Sequence, residues 1–180
     1  MTTPPYRLAG LMGWPVAHSR SPLLHRHWIQ AHALAGDYVL LPVAPQHLQS
    51  ALRGLPALGF SGCNLTIPHK VQALSLVDRV DPLARRIGAI NTVVVEGDGS
   101  LSGRNTDAFG FLQSLRDANP AWRAEAGPAV VLGAGGAARA VVTSLLHEGA
   151  REVRLLNRTF ATAQALAEEN GPAVTALPWE

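Results

Sequence analysis

Asn64-Leu-Thr-Ile-Pro-His-Lys70 places an amide, a hydroxyl and an ammonium group around one strand-to-helix corner. Those groups can grip a polyhydroxy molecule and hand it a proton. Other short polar residues stand at neighbouring strand ends: Ser19 and Ser21 after the first strand, Asn91 at the start of a later one, and Asp107 after Arg104-Asn105-Thr106. Thr66 lies within the first corner itself. In open α/β sheets, ligands bind beyond the carboxyl ends of the strands. Hydroxyls, amides and one carboxylate suit a ligand rich in hydroxyls better than an apolar one. Such a site discriminates strongly, because its polar groups lose partners when a ligand hydroxyl is missing. Each residue also has a local structural use. Ser21 can cap a helix, Ser19 can form a turn, Asn64 and Asn91 can satisfy loop backbone, and Asp107 can cap the helix after it.

A second chemistry-bearing segment is Val130-Val-Leu-Gly133-Ala134-Gly135-Gly136-Ala137-Ala138, which matches G-x-G-x-x-A. Gly133 permits a tight turn, Gly135 lets a pyrophosphate approach the backbone, and Ala138 allows close packing of helix on strand. A lone glycine pattern is weak, but this one follows a strand and opens a helix inside a βαβ pattern, which is the context the motif requires. The next strand ends in Asn157-Arg158-Thr159, with no acidic residue to hold a ribose 2′-hydroxyl. Arginine offers a planar, permanently charged fork suited to a 2′-phosphate, so NADP is expected over NAD. A substrate-gripping corner and a dinucleotide turn together point to a redox enzyme.

The elements that must position these groups alternate. Strands are expected at Tyr6 to Gly13, Asp37 to Val43 and Phe60 to Ile67. Helices are expected at Pro22 to Leu34, capped by Ser21, at Pro45 to Leu58, with Leu48, Leu52 and Leu55 on one face, and from Pro68 onward. Ala89 to Glu96 and Leu101 to Arg104 read as a hairpin turned by Gly97-Asp-Gly-Ser100. Thr106 to Asp117 reads as a helix leading out, and Asn119 to Pro128 as a connector. Then follow a buried strand at Ala129 to Leu132, a helix at Ala137 to His147, a strand at Glu152 to Leu156, a helix at Phe160 to Glu169 and a strand at Ala173 to Ala176. The expected class is α/β: an N-terminal domain (residues 1–106) with an open, mostly parallel sheet and an antiparallel edge pair, and an incomplete Rossmann-like NADP-binding domain (residues 107–180).

Composition sets the limits. The 180 residues are 47% hydrophobic and 16% charged, an ordinary globular balance. No apolar run is long enough to span a bilayer. The start, Met1-Thr-Thr-Pro-Pro, lacks the pattern of a signal peptide, so a cytoplasmic protein is expected. Arginines are scattered despite a net charge of +2, so no nucleic-acid partner is expected. Cys63 is the only cysteine and reads as core. The seven histidines form no ligand cluster in sequence, so no metal is expected. His69 lies beside Lys70, and Trp14 follows the first strand, where it can wall the site or simply pack. Oligomeric state is not legible.

Taken in order, Ser19-Arg-Ser21-Pro22, Asn64-Leu-Thr-Ile-Pro-His-Lys70, Gly88-Ala-Ile-Asn91-Thr92, Gly103-Arg-Asn-Thr-Asp107, Gly133-Ala-Gly-Gly-Ala137 and Asn157-Arg-Thr159 resemble the shikimate dehydrogenase family over nearly the whole chain. The resemblance implies that Ser19 and Ser21 hold a substrate carboxylate. It implies that Asn64, Thr66, Asn91 and Asp107 bind ring hydroxyls, and that Lys70 and Asp107 form the catalytic pair. Gly133, Ala134, Gly135, Gly136 and Ala137 would bind the cofactor pyrophosphate, and Asn157, Arg158 and Thr159 its 2′-phosphate. The implied reaction is reversible NADPH-dependent reduction of 3-dehydroshikimate to shikimate, a step of aromatic amino-acid biosynthesis. The chemistry of the residues agrees. Reduction of a ketone builds negative charge on oxygen, which Lys70 can stabilise and protonate, while Asp107 positions by hydrogen bonding. Thr162 stands where the family often has a second arginine on the phosphate. The family's later segment, which completes the cofactor domain, is not in this sequence. A truncated chain with an open sheet edge and an uncovered apolar face is therefore expected. Two alternatives stay open: a quinate/shikimate dehydrogenase of wider range, and a ligand-binding fragment without turnover.

Overall fold

In the computed structural model, which describes residues 5–179, the chain divides into two units. The first takes the residues up to Arg85 together with Ala89–Arg104. The second takes Arg86–Gly88 and the residues from Asn105 onward.

In the first unit, β1 (Arg7–Gly13), β2 (Gly36–Pro42) and β3 (Phe60–Leu65) run parallel, with β1 between the other two. Alternation divides their side chains. Met12, Cys63 and Leu65 enter a core with Leu48, Leu52 and Leu55, while Leu11 and Tyr38 face the other way, against Val16 and Ile29. β5 (Thr92–Val95) and β6 (Leu101–Arg104) form the expected hairpin, closed by a Glu96 N–H that donates to Ser100 O at 2.9 Å. The hairpin is not the edge of the sheet, however. A two-residue strand, β4 (Arg79–Val80), pairs with β6 outside it, giving the order β2-β1-β3-β5-β6-β4. Only β5 runs against the rest. A pair of residues carries no readable period, so β4 leaves no pattern in the sequence.

The helices are shorter than their apolar patterns. α1 (Ser21–Ala31) stops before Leu34 because Ala33 turns left-handed at φ 49° and Leu34 N–H donates back to Ile29 O. The expected long helix from Pro45 is a 3-10 turn, Pro45–His47, followed by α2 (Leu48–Gly54), and Pro56 cannot extend the ladder. Leu48, Leu52 and Leu55 are nevertheless fully buried together, as their spacing requires. After β3 comes one turn of helix, α3 (His69–Gln72), and later α4 (Pro82–Ile87), within which the division between the units falls.

The second unit holds α5 (Asp107–Ala118), then β7 (Ala129–Leu132), α6 (Gly136–His147), β8 (Val153–Leu156), α7 (Phe160–Asn170) and β9 (Val174–Leu177). Its three strands are parallel in the order β7-β8-β9. The connector contributes a 3-10 turn, Ala124–Ala126, and Trp122 packs on the core. Val131, Val153, Leu155 and Val174 are covered by Val142 and Leu145 of α6 and by Ala163 and Leu166 of α7. The expectation of a buried strand at Ala129–Leu132 is corrected. Val130 is 59% and Leu132 68% exposed, because β7 alternates and only its inner face is packed among the described residues.

Candidate functional site

The polar residues of the first unit gather where β1 and β3 end side by side. After β1, Trp14 N–H donates to Ile67 O at 3.0 Å and Ser19 N–H donates to Val16 O at 3.0 Å, folding the loop over the end of β3. Ser19 Oγ then accepts Ser21 N–H at 3.2 Å and lies 3.2 Å from Ser21 Oγ. Ser21 is therefore not the cap of α1. It is the first helical residue, Arg20 occupies the capping position, and the Ser19 hydroxyl serves the loose N–H. Ser19 and Thr66 line one cavity of about 510 Å³ with Trp14, which is 49% exposed at its wall.

After β3, Thr66 N–H donates to Met12 O at 3.0 Å, and Thr66 O accepts His69 N–H at 2.9 Å. This turn sets α3 and Lys70 directly beyond the strand end. Beneath them His69 is fully buried, with Nε2 2.8 Å from Val43 O. A carbonyl only accepts, so Nε2 carries the proton, and Nδ1 has no partner among the described residues. Lys70 O accepts Ile90 N–H at 2.9 Å, which ties α3 to the residue next to Asn91. Lys70 is also the only lysine among 15 Lys plus Arg residues. Every other cationic side chain of that pair is an arginine, which cannot release its proton, so the one exception falls where proton transfer is expected. That count is a signal the motif alone does not carry.

Asn64 and Asn91 are brought together through Thr92. Asn64 Nδ2 donates to Asn91 O at 3.3 Å and to Thr92 Oγ1 at 3.1 Å, and the Thr92 hydroxyl donates to Asn91 Oδ1 at 3.0 Å. Asn64 thus does satisfy backbone, while its side chain also lines a second cavity of about 510 Å³ with Tyr38 and His25. Tyr38 donates its hydroxyl to Asn64 Oδ1 at 2.8 Å. Burial pushes the Tyr38 phenol well above its usual range, with a smaller contribution from Cys63, so it remains a donor. Burial likewise pushes the Cys63 thiol up to about 12, which makes it a core residue and not a nucleophile.

Asp107 belongs to the second unit. It does not cap α5 but is its first residue. The cap is supplied by Asn105, which is buried and whose Oδ1 accepts Asp107 N–H at 2.9 Å and Ala108 N–H at 3.4 Å. Tyr38 is a supporting residue outside every motif, while Asn105 and Thr92 lie within motifs that do not announce their supporting bonds.

The glycine turn lies where the motif requires, between β7 and α6. Gly133 has φ 107°, a conformation side chains rarely adopt, and its N–H donates to Leu156 O at 2.7 Å. Gly135 differs. Its φ of −84° is ordinary, and an added Cβ would meet nothing within 4 Å. No neighbouring atom crowds that position, and the bare backbone at the N-terminus of α6 has the form that a pyrophosphate-binding turn requires. Ala134 is buried, Ala138 packs on the core, and Gly136 and Ala137 open α6. Beyond β8, Asn157 Nδ2 donates to Thr159 O at 2.9 Å, and Arg158 projects as an exposed guanidinium at the start of α7.

An open α/β unit followed by a βαβαβ unit with a dinucleotide-type glycine turn defines the class as a two-unit α/β protein with a Rossmann-like second unit. A family model described as shikimate dehydrogenase substrate binding domain matches residues 11–93, and one described as shikimate / quinate 5-dehydrogenase matches residues 120–179. The chain is 54% identical to the shikimate dehydrogenase (NADP(+)) of Paramagnetospirillum magneticum, covering 96% of this chain and 63% of that one. Among solved structures it is similar to shikimate dehydrogenase from Aquifex aeolicus, with TM-score 0.87, 38% identity, and coverage of 98% of this chain and 64% of that one. It is also similar to shikimate 5-dehydrogenase from Thermus thermophilus in complex with NADP(H) and shikimate, with TM-score 0.83, 38% identity, and coverage of 97% and 68%. The chain belongs to the shikimate dehydrogenase family, and it spans 63% of the length of the Paramagnetospirillum relative.

Proposed function

We propose that the protein carries out the reversible NADPH-dependent reduction of 3-dehydroshikimate to shikimate, with most of the substrate-binding residues in the first unit and the cofactor-binding residues in the second. The observation that carries this reading is that the Ser19 loop, Thr66 and the turn bearing Lys70 stand together at the ends of β1 and β3, in a chain whose relatives include a protein solved with shikimate and NADP(H). Bound NADPH supplies the hydride. Lys70 donates a proton to the substrate oxygen, and its charge stabilises the alkoxide that forms. Asp107 accepts a hydrogen bond from the substrate and orients it. Ser19 and Ser21 hold the carboxylate, and Asn64, Thr66 and Asn91 hold ring hydroxyls. Gly133 to Ala137 take the pyrophosphate, and Asn157, Arg158 and Thr159 take the 2′-phosphate, for which the exposed Arg158 fork is suited. We place the protein in the cytoplasm, where a lone buried thiol such as Cys63 stays reduced. No helix among the described residues is long and apolar enough to cross a membrane.

The test is NADPH oxidation by the 180-residue chain with 3-dehydroshikimate, run beside shikimate binding. Turnover is the expected result, and absence of both turnover and binding refutes the reading. Two observations keep second readings in play. The second family model is named for quinate as well as shikimate, so both acids and both NADP and NAD belong in the assay. The outer face of the second sheet is open at Val130 and Leu132, so binding without turnover would identify a ligand-binding fragment.

A further inference from the structure

We propose that Tyr38 is a positioning residue for substrate recognition: its hydroxyl locks the side-chain amide of Asn64 so that Asn64 meets the substrate as a hydrogen-bond acceptor. This rests on the substrate reading given above.

The geometry follows from the sheet. Tyr38 lies on β2 and Asn64 on β3, with β1 between them. Two strand spacings separate them, about 10 Å. The β1 residue in register with Tyr38 is Ala9, small enough for the phenol to pass over it. The ring is held there by His25 of α1, stacked at 3.9 Å between centroids and 4° between planes, with Trp28 edge-on to His25 at 5.3 Å. The hydroxyl reaches Asn64 Oδ1 at 2.8 Å.

The direction of every bond in the chain is then fixed. Asn91 O is a carbonyl and can only accept, so the Asn64 amide must turn its Nδ2 toward it. Its Oδ1 therefore faces Tyr38, which must donate. Thr92 Oγ1 accepts the second Nδ2 proton and passes its own to Asn91 Oδ1. Both donors of Asn64 are used inside the protein, and Oδ1 keeps one lone pair beyond the Tyr38 bond. A ligand hydroxyl meeting Asn64 in this arrangement donates to Oδ1. Without the Tyr38 hydroxyl, Oδ1 loses its fixed partner and the amide is free to rock about its last torsion.

The experiment is a mutant cycle read by shikimate binding to the 180-residue chain in calorimetry, using Tyr38→Phe, Asn64→Ala and the pair together. Tyr38→Phe keeps the ring and its stack. It should weaken shikimate binding about tenfold, the worth of one buried hydrogen bond. Asn64→Ala should weaken it at least as much, and the double variant should match Asn64→Ala alone. The side-chain amide resonances of Asn64, assigned in the unliganded protein, should shift in Tyr38→Phe while the backbone spectrum is retained. If Asn64→Ala leaves binding unchanged, or the wild-type chain binds no shikimate, the substrate reading fails and this proposal with it. If Asn64→Ala weakens binding while Tyr38→Phe does not, or if Tyr38→Phe costs as much in the Asn64→Ala background, the site stands and the positioning role of Tyr38 is overturned.

Discussion

Lysine and arginine carry the same charge but differ in whether the proton can leave, and this chain uses the first only at position 70. The surrounding structure treats that residue as fixed machinery. His69 anchors α3 to Val43 from beneath, and the Lys70 carbonyl is tied to Ile90 N–H. If the ammonium served only as a charge, Lys70→Arg would retain most activity. If it transfers a proton, Lys70→Arg and Lys70→Ala should both lose about 10²- to 10⁴-fold in turnover with 3-dehydroshikimate, the range general-acid groups supply. Shikimate affinity should change far less in either. Near-normal turnover by Lys70→Arg, measured by NADPH absorbance, would remove the proton-transfer role. The same solitary lysine gives a second readout. Amine acylation can reach only Lys70 and the α-amino group, so bound shikimate should slow side-chain labelling as followed by mass spectrometry.

At the scale of elements, the turn between β7 and α6 contains two glycines that are glycine for different reasons. Gly133 serves the fold, since its φ of 107° strains any side chain, whereas Gly135 has an ordinary φ and open space around a built Cβ. Gly133→Ala should therefore cost about 1–3 kcal/mol in urea denaturation. Gly135→Ala should melt within a fraction of that, at the small cost of a poorer cap, yet lose NADPH binding. Equal losses of stability in the two variants would show that the turn is shaped for packing alone. This contrast also explains what was legible in the sequence. A positive φ must be met locally, so the glycine turn marks its own position, and the leucine period of α2 marks its buried face. The cap of α5 left a weaker trace, since Asn105 and Asp107 are both acceptable cap residues two positions apart and only coordinates decide between them. The Tyr38 bond joins residues 26 apart across an intervening strand, and nothing next to Tyr38 in the chain announces it. The hairpin of β5 and β6 was readable from its turn. Its place inside the sheet was not, because that depends on a two-residue strand pairing from outside.

On the scale of the whole molecule, acid should act unequally on the two units. In the first, burial lowers the His25 pKa below 6.5, so the native state holds fewer protons than the unfolded one. That stability is complete above pH 6.5 and is lost as pH falls through the depressed value. The carboxylates act further down. The Arg26 guanidinium beside Asp37, the Leu101 N–H on Asp78, and the Ser100 hydroxyl on Asp98 hold all three below the usual carboxylate range, Asp98 at about 2. Each contributes stability present above its ordinary value of 3.8 and lost as pH falls through the lowered one. In the second unit Glu169 is the one such group among the described residues; its hydrogen bond from Arg139 lowers it, and its contribution is lost as pH falls below 4.5 in the same sense. Unfolding of a chain with two units need not be one transition. Amide exchange resolved by unit should therefore show the β1–β3 amides losing protection as pH falls below 6.5 while those of β7–β9 hold, with both units weakening below about pH 4. His25→Phe keeps an aromatic ring on Tyr38 but cannot titrate, so it should abolish the upper limb and leave the lower one. A first unit that loses protection equally with His25 replaced would show that the upper limb belongs to another group.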